Sequence, residues 1–181
     1  VMDMWDPYIK SIKENTNAEI VFDKFHISKK INEAVDSIRK KEFANADSEE
    51  RKMMKHKRFL ILYRNKNLNK EQEKDLNELM EMNKKLYEAY LLKEQVLNIF
   101  DRRQKNAALE RLQIWKDNIQ KSNIEEFQKV LKTLEHYWYG IENYFTHRVT
   151  NGASEGYNNK INIIKRRAYG FKDIEYFKLK I

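Results

Sequence analysis

No cysteine occurs anywhere in the chain, which excludes disulfides and thiolate metal sites and fits a reducing cytosol. Proline occurs once and glycine four times in 181 residues. So few turn formers, beside 35% charged side chains, favour long amphipathic helices over a sandwich of short strands. No apolar run approaches the roughly 20 residues of a membrane span, so no membrane partner is expected. The N-terminus shows no basic region leading into an apolar one, and no signal peptide is expected either. The size suits one domain, or one domain with an insertion, and is enough to bury a core. No internal repeat and no low-complexity tract is present.

What is present in excess is positive charge, net +8, and it is unevenly spread. Residues 1–44 carry eight basic and eight acidic side chains, residues 45–145 carry 20 and 17, and residues 146–181 carry eight and three. The surplus gathers in the last fifth of the chain. That is an electrostatic footprint for a polyanion, although a solvated basic face fits the same distribution.

The first residues read as strand, helix, strand. Residues 1–4 form a short apolar stretch around Asp3. Asp6 is placed to cap a helix that Pro7 opens and that runs to about Asn15. Residues 19–23 read as a strand, with Ile20, Val21 and Phe22 as its buried run. The connection is long enough for a right-handed parallel crossover. Such a crossover brings Asp3 and Asp23 to one edge of a small sheet, where open α/β sheets place their sites. Two carboxylates there repel unless a cation or a helix N-terminus offsets them, and an oxygen-rich cluster suits Mg²⁺ or Mn²⁺. A strand-end turn at Asp3 and a helix cap at Asp23 would account for the same residues. His26 reads as a hydrogen-bonded, orienting side chain, because His56, His136 and His147 supply no recognised zinc pattern beside it.

Helical spacing then dominates. Ile27, Ile31, Ala34, Val35 and Ile38 predict a helix to about Phe43. Residues 46–57 are charged and poorly patterned, and residues 59–63 form an apolar knot that suits helix or strand. Asn69 with Gln72 resembles a capping box and opens a helix through Leu76, Leu79 and Met80. Further helical pattern covers residues 86–100, 107–120 and 124–145. After a break at Asn151-Gly152, Ser154 is placed to cap a helix whose apolar stripe is Tyr157, Ile161, Ile164 and Ala168. Its opposite face carries Glu155, Asn159, Asn162 and Arg166 at three- and four-residue steps. Lys165, Arg166 and Arg167 close that helix, Gly170 sits where a left-handed residue would end it, and Ile174, Phe177 and Ile181 suggest a last short helix. A carboxylate, amides and cations on one helix suit a phosphodiester backbone with a metal beside it. An ordinary surface helix whose cations offset its own dipole has the same pattern.

Two stretches carry a resemblance. They are Val21-Phe22-Asp23-Lys24-Phe25-His26 and Thr150-Asn151-Gly152-Ala153-Ser154-Glu155-Gly156-Tyr157-Asn158-Asn159-Lys160, the latter continued by Ile164-Lys165-Arg166-Arg167-Ala168-Tyr169-Gly170-Phe171. Both resemble the catalytic domain of DDE-type transposases of bacterial insertion sequences, the ISL-three group. Asp3-Met4 and Tyr8 resemble the stretch that precedes the Asp–Phe–His motif there, so the likeness spans nearly the whole chain. One departure is that no proline precedes Asn17-Ala18. The resemblance implies an RNase H-like fold, a three-carboxylate site binding two divalent metals (Mg²⁺ or Mn²⁺), and the cutting of element ends with their joining to target DNA. Glu155 occupies the family's glutamate position. The order of strands places the second aspartate at Asp3, with Asp23 as the alternative assignment and His26 as an orienting neighbour. Asn158, Asn159, Lys160, Lys165, Arg166 and Arg167 are the expected DNA contacts. Nothing in these residues supplies the family's first strand and aspartate, so the 181 residues are expected to be a fragment that does not cut or join DNA alone.

The expected architecture is therefore α+β and helix-dominated. Residues 1–44 would form a partial RNase H-like core with a short parallel β-α-β remnant. Residues 45–145 would form an all-helical insertion, and residues 146–181 the C-terminal core helices that carry the glutamate and the basic motif. The expected setting is the bacterial cytoplasm, at the nucleoid, as a homo-oligomer on DNA. A non-catalytic DNA-binding or interaction remnant of a decayed transposase is the alternative. A helical scaffold would explain the middle of the chain but not its terminal motif.

Overall fold

A computed structural model of the protein describes residues 1–169 and 173–180, with the backbone alone at Ala153 and Ser154. Gly170 and Ile181, and with them the expected glycine cap and the end of the last apolar stripe, lie outside the described residues. Among those described, the chain forms α1 (Asp6–Asn15), α2 (Lys24–Asn45), α3 (Ser48–Met54), α4 (Arg58–Leu62), a 3-10 turn (Asn65–Asn67), α5 (Lys70–Met82), α6 (Lys84–Phe100), α7 (Lys105–Lys121), α8 (Glu125–His136), α9 (Trp138–His147), α10 (Gly152–Arg167) and α11 (Ile174–Lys178). No helix among the described residues is long and apolar enough to cross a membrane.

The helix-dominated part of the expectation fits this structure. The α+β part does not, and neither does a β-α-β remnant of an RNase H-like fold. Among the described residues there is no strand, and the pairing between residues 1–4 and 19–23 reduces to one isolated parallel bridge, Met2 with Phe22. Its hydrogen bonds run from Met2 N to Val21 O at 2.9 Å and from Asp23 N to Met2 O at 3.3 Å. A helix takes the place a neighbouring strand would need. Phe22 N donates to the Gly140 carbonyl of α9 at 3.2 Å, Asn143 Nδ2 donates to Ile20 O at 2.9 Å, and His147 contacts Glu19. The ring of Phe22 is fully buried and packs edge-on against Tyr137 and Tyr139. Ile20, Val21 and Phe22 are therefore buried as a strand's residues would be, but against α9.

Smaller expectations change or are decided as well. Residues 46–57, which lack periodicity, contain α3, nucleated by a complete capping box between Asp47 and Glu50. The pattern over residues 124–145 is two helices, broken at Tyr137, whose φ of −103° and ψ of 17° leave the helical region. The apolar knot at residues 59–63 is helical. At the termini of α1 and α10 the caps shift. Trp5 precedes α1, leaving Asp6 inside its first turn, and α10 begins at Gly152, before Ser154.

The core is built around α2. Ile27, Ile31, Val35 and Ile38 share one face and have no exposed surface, and burying each contributes about 1.5–3 kcal/mol. That helix packs against α6 and α8, and α6 packs in turn against α7. One continuous apolar cluster runs from Met2 to Phe145. Lys93 is buried within it, where its Nζ donates to the Ile61 and Tyr63 carbonyls at 2.7 and 2.6 Å and so satisfies the end of α4. By contrast, no described residue of α10 or α11 is buried, and Tyr157 and Ile163 of α10 face outward.

Candidate functional site

The parallel bridge and the start of α2 determine where the carboxylates lie. Asp23 follows the bridged Phe22 and forms the N-cap of α2, with Oδ1 accepting the Phe25 amide at 2.9 Å. Its other oxygen, Oδ2, accepts the backbone N–H of Asn151 at 3.1 Å. Asp23 is only 4% exposed. Its charge is thus met by donors from the beginnings of two helices, α2 and α10, where the helix dipole favours an anion.

Asp3 follows the bridged Met2, so the same pairing sets it beside Asp23. Its Oδ1 lies 3.2 Å from His26 Nδ1, an ion pair when His26 is protonated. The two groups are close but poorly aligned, since His26 Nδ1 is buried without a hydrogen-bond partner. Side-chain exposure separates the two aspartates: Asp3 is half-exposed where Asp23 is not.

Glu155 lies in the first turn of α10, its amide bonded to the Asn151 carbonyl at 2.9 Å. Asn151 therefore joins the two parts of the site, donating its N–H to Asp23 and accepting from Glu155. Asp23 and Glu155 line one cavity of about 440 Å³. Lys24, Arg64 and Asp101 also face it, over a floor that includes Leu97 and Phe100. Burial works to raise the pKa of Asp101, but hydrogen bonds from Lys66 and Arg64 outweigh it, so this carboxyl is held below the usual range.

Among the described residues no group of three His, Cys, Asp or Glu side chains is arranged to hold a metal ion. Asp23 and Glu155 face one cavity and Asp3 stands beside Asp23. Their hard carboxylate oxygens are the donors that Mg²⁺ or Mn²⁺ takes. The chemistry of the donors fits such an ion, while their arrangement does not close a complete site.

The expected DNA contacts Asn158, Asn159, Lys160, Lys165, Arg166 and Arg167 all lie on α10 and are all exposed. Two features of the site escaped sequence reasoning. One is Asn151 as the partner of Asp23, separated from it by 128 residues. The other is the set of cations around Asp101, which come from positions 24, 64 and 66. No local spacing signals either, because each depends on where distant helices dock.

A family model described as a transposase, of the DDE type and the ISL3 group, matches residues 1–181. The transposase for insertion sequence element IS1001 of Bordetella parapertussis is 33% identical over 185 residues, which cover 99% of this chain and 45% of that protein. An ATP-dependent protease of Lactococcus lactis subsp. lactis is 39% identical over 57 residues, 32% of this chain and 18% of that protein. The chain thus spans less than half the length of the curated relatives it matches. No solved structure matches it.

Proposed function

This chain belongs to the DDE-type transposases of the ISL3 group, and on that footing we propose that it serves the cutting of insertion-sequence ends and their joining to target DNA. The observation that carries the proposal is the pair of hydrogen bonds accepted by Asp23, which ties the start of α10 to the start of α2, with Glu155 on the same cavity. Roles follow from what each carboxylate already does. Both oxygens of Asp23 accept backbone N–H groups, which suits it to hold α10 in place. Asp3 and Glu155 are the more exposed and remain open to a ligand. His26 orients Asp3.

Mg²⁺ or Mn²⁺ is the proposed cofactor, and Asp23 and Glu155, which line one cavity, together with Asp3 beside Asp23, are the residues that would hold it. When bound, a divalent ion supplies charge stabilisation at the transferring phosphoryl group. The residues of α10 position the DNA: Lys160, Lys165, Arg166 and Arg167 match its phosphates in charge, and Asn158 and Asn159 offer amide donors. Action at the bacterial nucleoid and assembly as a homo-oligomer belong to the same proposal.

The test is strand transfer of labelled insertion-sequence ends, in Mg²⁺ or Mn²⁺, by the transposase that carries this chain. Glu155→Gln and Asp3→Asn should each slow it by roughly a hundred- to thousandfold, the range for removing one group that stabilises developing charge. Undiminished transfer by Glu155→Gln would sink the proposal.

A further inference from the structure

Outside α10, two aspartates each gather three cations. Asp36 Oδ1 meets Arg39 Nε at 2.9 Å and Arg58 Nε at 3.0 Å, and its Oδ2 meets Lys40 Nζ at 3.1 Å. Asp101 Oδ2 meets Arg64 Nη1 at 2.7 Å and Lys66 Nζ at 2.9 Å, while its Oδ1 lies 3.9 Å from Lys24 Nζ. One carboxylate offsets one of the three cations in each cluster, and Asp23, Glu155 and Glu33 add negative charge nearby. The aspartate fixes the cations in place, and the outermost remain open to solvent, with the Lys40 and Lys66 side chains 68% and 59% exposed.

Two cavities that share a wall reach one side of each cluster. The cavity of Asp23 and Glu155 reaches Arg64 and Asp101, and a second cavity of about 250 Å³ reaches Asp36 and Arg58. Phe25, Ser28, Asn32 and Leu62 line both. Phe25, in that shared wall, is 61% exposed, and its ring meets that of His26 edge-on. Beside it, Asn32 Oδ1 is a buried acceptor without a donor in the protein. At the Arg58 end, the rings of Phe59 and Tyr63 are exposed and lie 5.9 Å apart.

We propose that these two cavities form a track for single-stranded DNA leaving the carboxylate site. The phosphates would meet the cation clusters of Asp101 and Asp36, and an unpaired base would stack on Phe25. Cations at both ends of the two cavities, with the Phe25 ring in the wall between them, match a strand whose bases are free to turn outward. A duplex keeps its bases stacked and leaves the rings without partners. The proposal rests on the assignment of DNA as substrate, but it assigns that DNA to residues other than those of α10.

The experiment measures binding of a labelled oligodeoxythymidine, and of a labelled duplex, to the 181-residue chain by fluorescence anisotropy at several salt concentrations. Phe25→Ala should weaken single-strand binding roughly five- to a hundredfold at unchanged salt slope, with duplex binding little altered, and Phe25→Trp should restore it. The pair Lys40→Ala/Lys66→Ala leaves the inner cations on each aspartate. It should flatten the single-strand slope by about 1.4 units, at roughly 0.7 for each phosphate no longer neutralised. Thermal unfolding of each variant checks that the fold is kept. Wild-type single-strand affinity and slope in both variants, with Arg166→Ala/Arg167→Ala alone impaired, would overturn the track and leave the DNA assignment standing. A wild-type chain that binds neither probe would overturn the track, while the DNA assignment itself stands or falls with strand transfer by the transposase that carries this chain.

Discussion

The Asp23 carboxylate accepts the backbone N–H of Asn151 at 3.1 Å across 128 residues of sequence. It thereby joins the helix that carries Glu155, which buries none of its described residues, to a core that ends at Phe145. Removing one acceptor should loosen α10 without unfolding the rest. Asp23→Asn keeps an oxygen for the Phe25 amide but offers nothing to Asn151. The expected loss is about 1–2 kcal/mol in denaturant unfolding, the cost of an unmet donor, with faster hydrogen exchange confined to the start of α10. Asp23→Ala should cost about 1 kcal/mol more, because the α2 cap is lost too. Wild-type exchange at Asn151 in either variant would count against the tie.

Gly140 is where α9 meets the segment that replaces a strand. A Cβ at this position would fall 2.4 Å from Phe22 Cδ2 and 2.5 Å from Cε2, and the buried Phe22 ring sits between Tyr137 and Tyr139 with no free space to enter. Gly140→Ala should therefore destabilise the fold by about 1–3 kcal/mol through overpacking, seen as a lower Tm. Pairing it with Phe22→Leu should recover part of that loss, since the smaller side chain leaves room for the methyl group.

Acid should unfold the protein partly through Asp36. Burial works to raise its pKa, but hydrogen bonds from Arg39, Lys40 and Arg58 outweigh it and bring the group from 3.8 down to about 2. A depressed carboxyl contributes stability above its unfolded pKa and loses it as pH falls through the folded one. The stability of the wild type should thus drop between about pH 4 and pH 2. Asp36→Asn should be less stable at neutral pH and show a flatter acid limb.

The alkaline limb should have a maximum. Burial lowers the pKa of Lys93 from 10.5 to about 8, against the pull of Glu94. Between those values the unfolded chain binds more protons, so stability rises with pH. Burial, and then the charge of Glu94, raise Tyr90 from 10.0 to about 12. Over that range the folded state holds the extra proton, and stability falls. Unfolding free energies measured across the range should peak near pH 10. Lys93→Met should remove the rise, and it should lower stability throughout by leaving the Ile61 and Tyr63 carbonyls without their donor.

Duplex binding should depend on the exposed cations of α10. Each phosphate that a cation neutralises contributes about 0.9 to the salt slope for duplex DNA. Arg166→Ala/Arg167→Ala should therefore flatten the logarithmic plot of affinity against salt by about 1.8 units. An unchanged slope would mean that these cations only complement the dipole of their own helix.

What the sequence alone determined is what helices encode locally. The Asn69–Gln72 capping box forms with both of its bonds. The spacing of Ile27, Ile31, Val35 and Ile38 gives the buried face of α2, and the basic run at positions 165–167 closes α10 as its spacing predicts. A helix satisfies its backbone within four residues, so periodicity and caps are sufficient to place it. Tertiary structure decided the rest. Ile20, Val21 and Phe22 have the composition of a strand, yet a strand exists only where a partner presents a free edge, and α9 takes that place through the bare backbone of Gly140. The same holds for the charged groups. Arg39 and Lys40 reach Asp36 at ordinary helical spacing, but that Arg58 joins them, that Asp23 meets Asn151 and that Asp101 meets Lys24, Arg64 and Lys66 depends on segments that dock from tens of residues away, and no spacing within the chain records that.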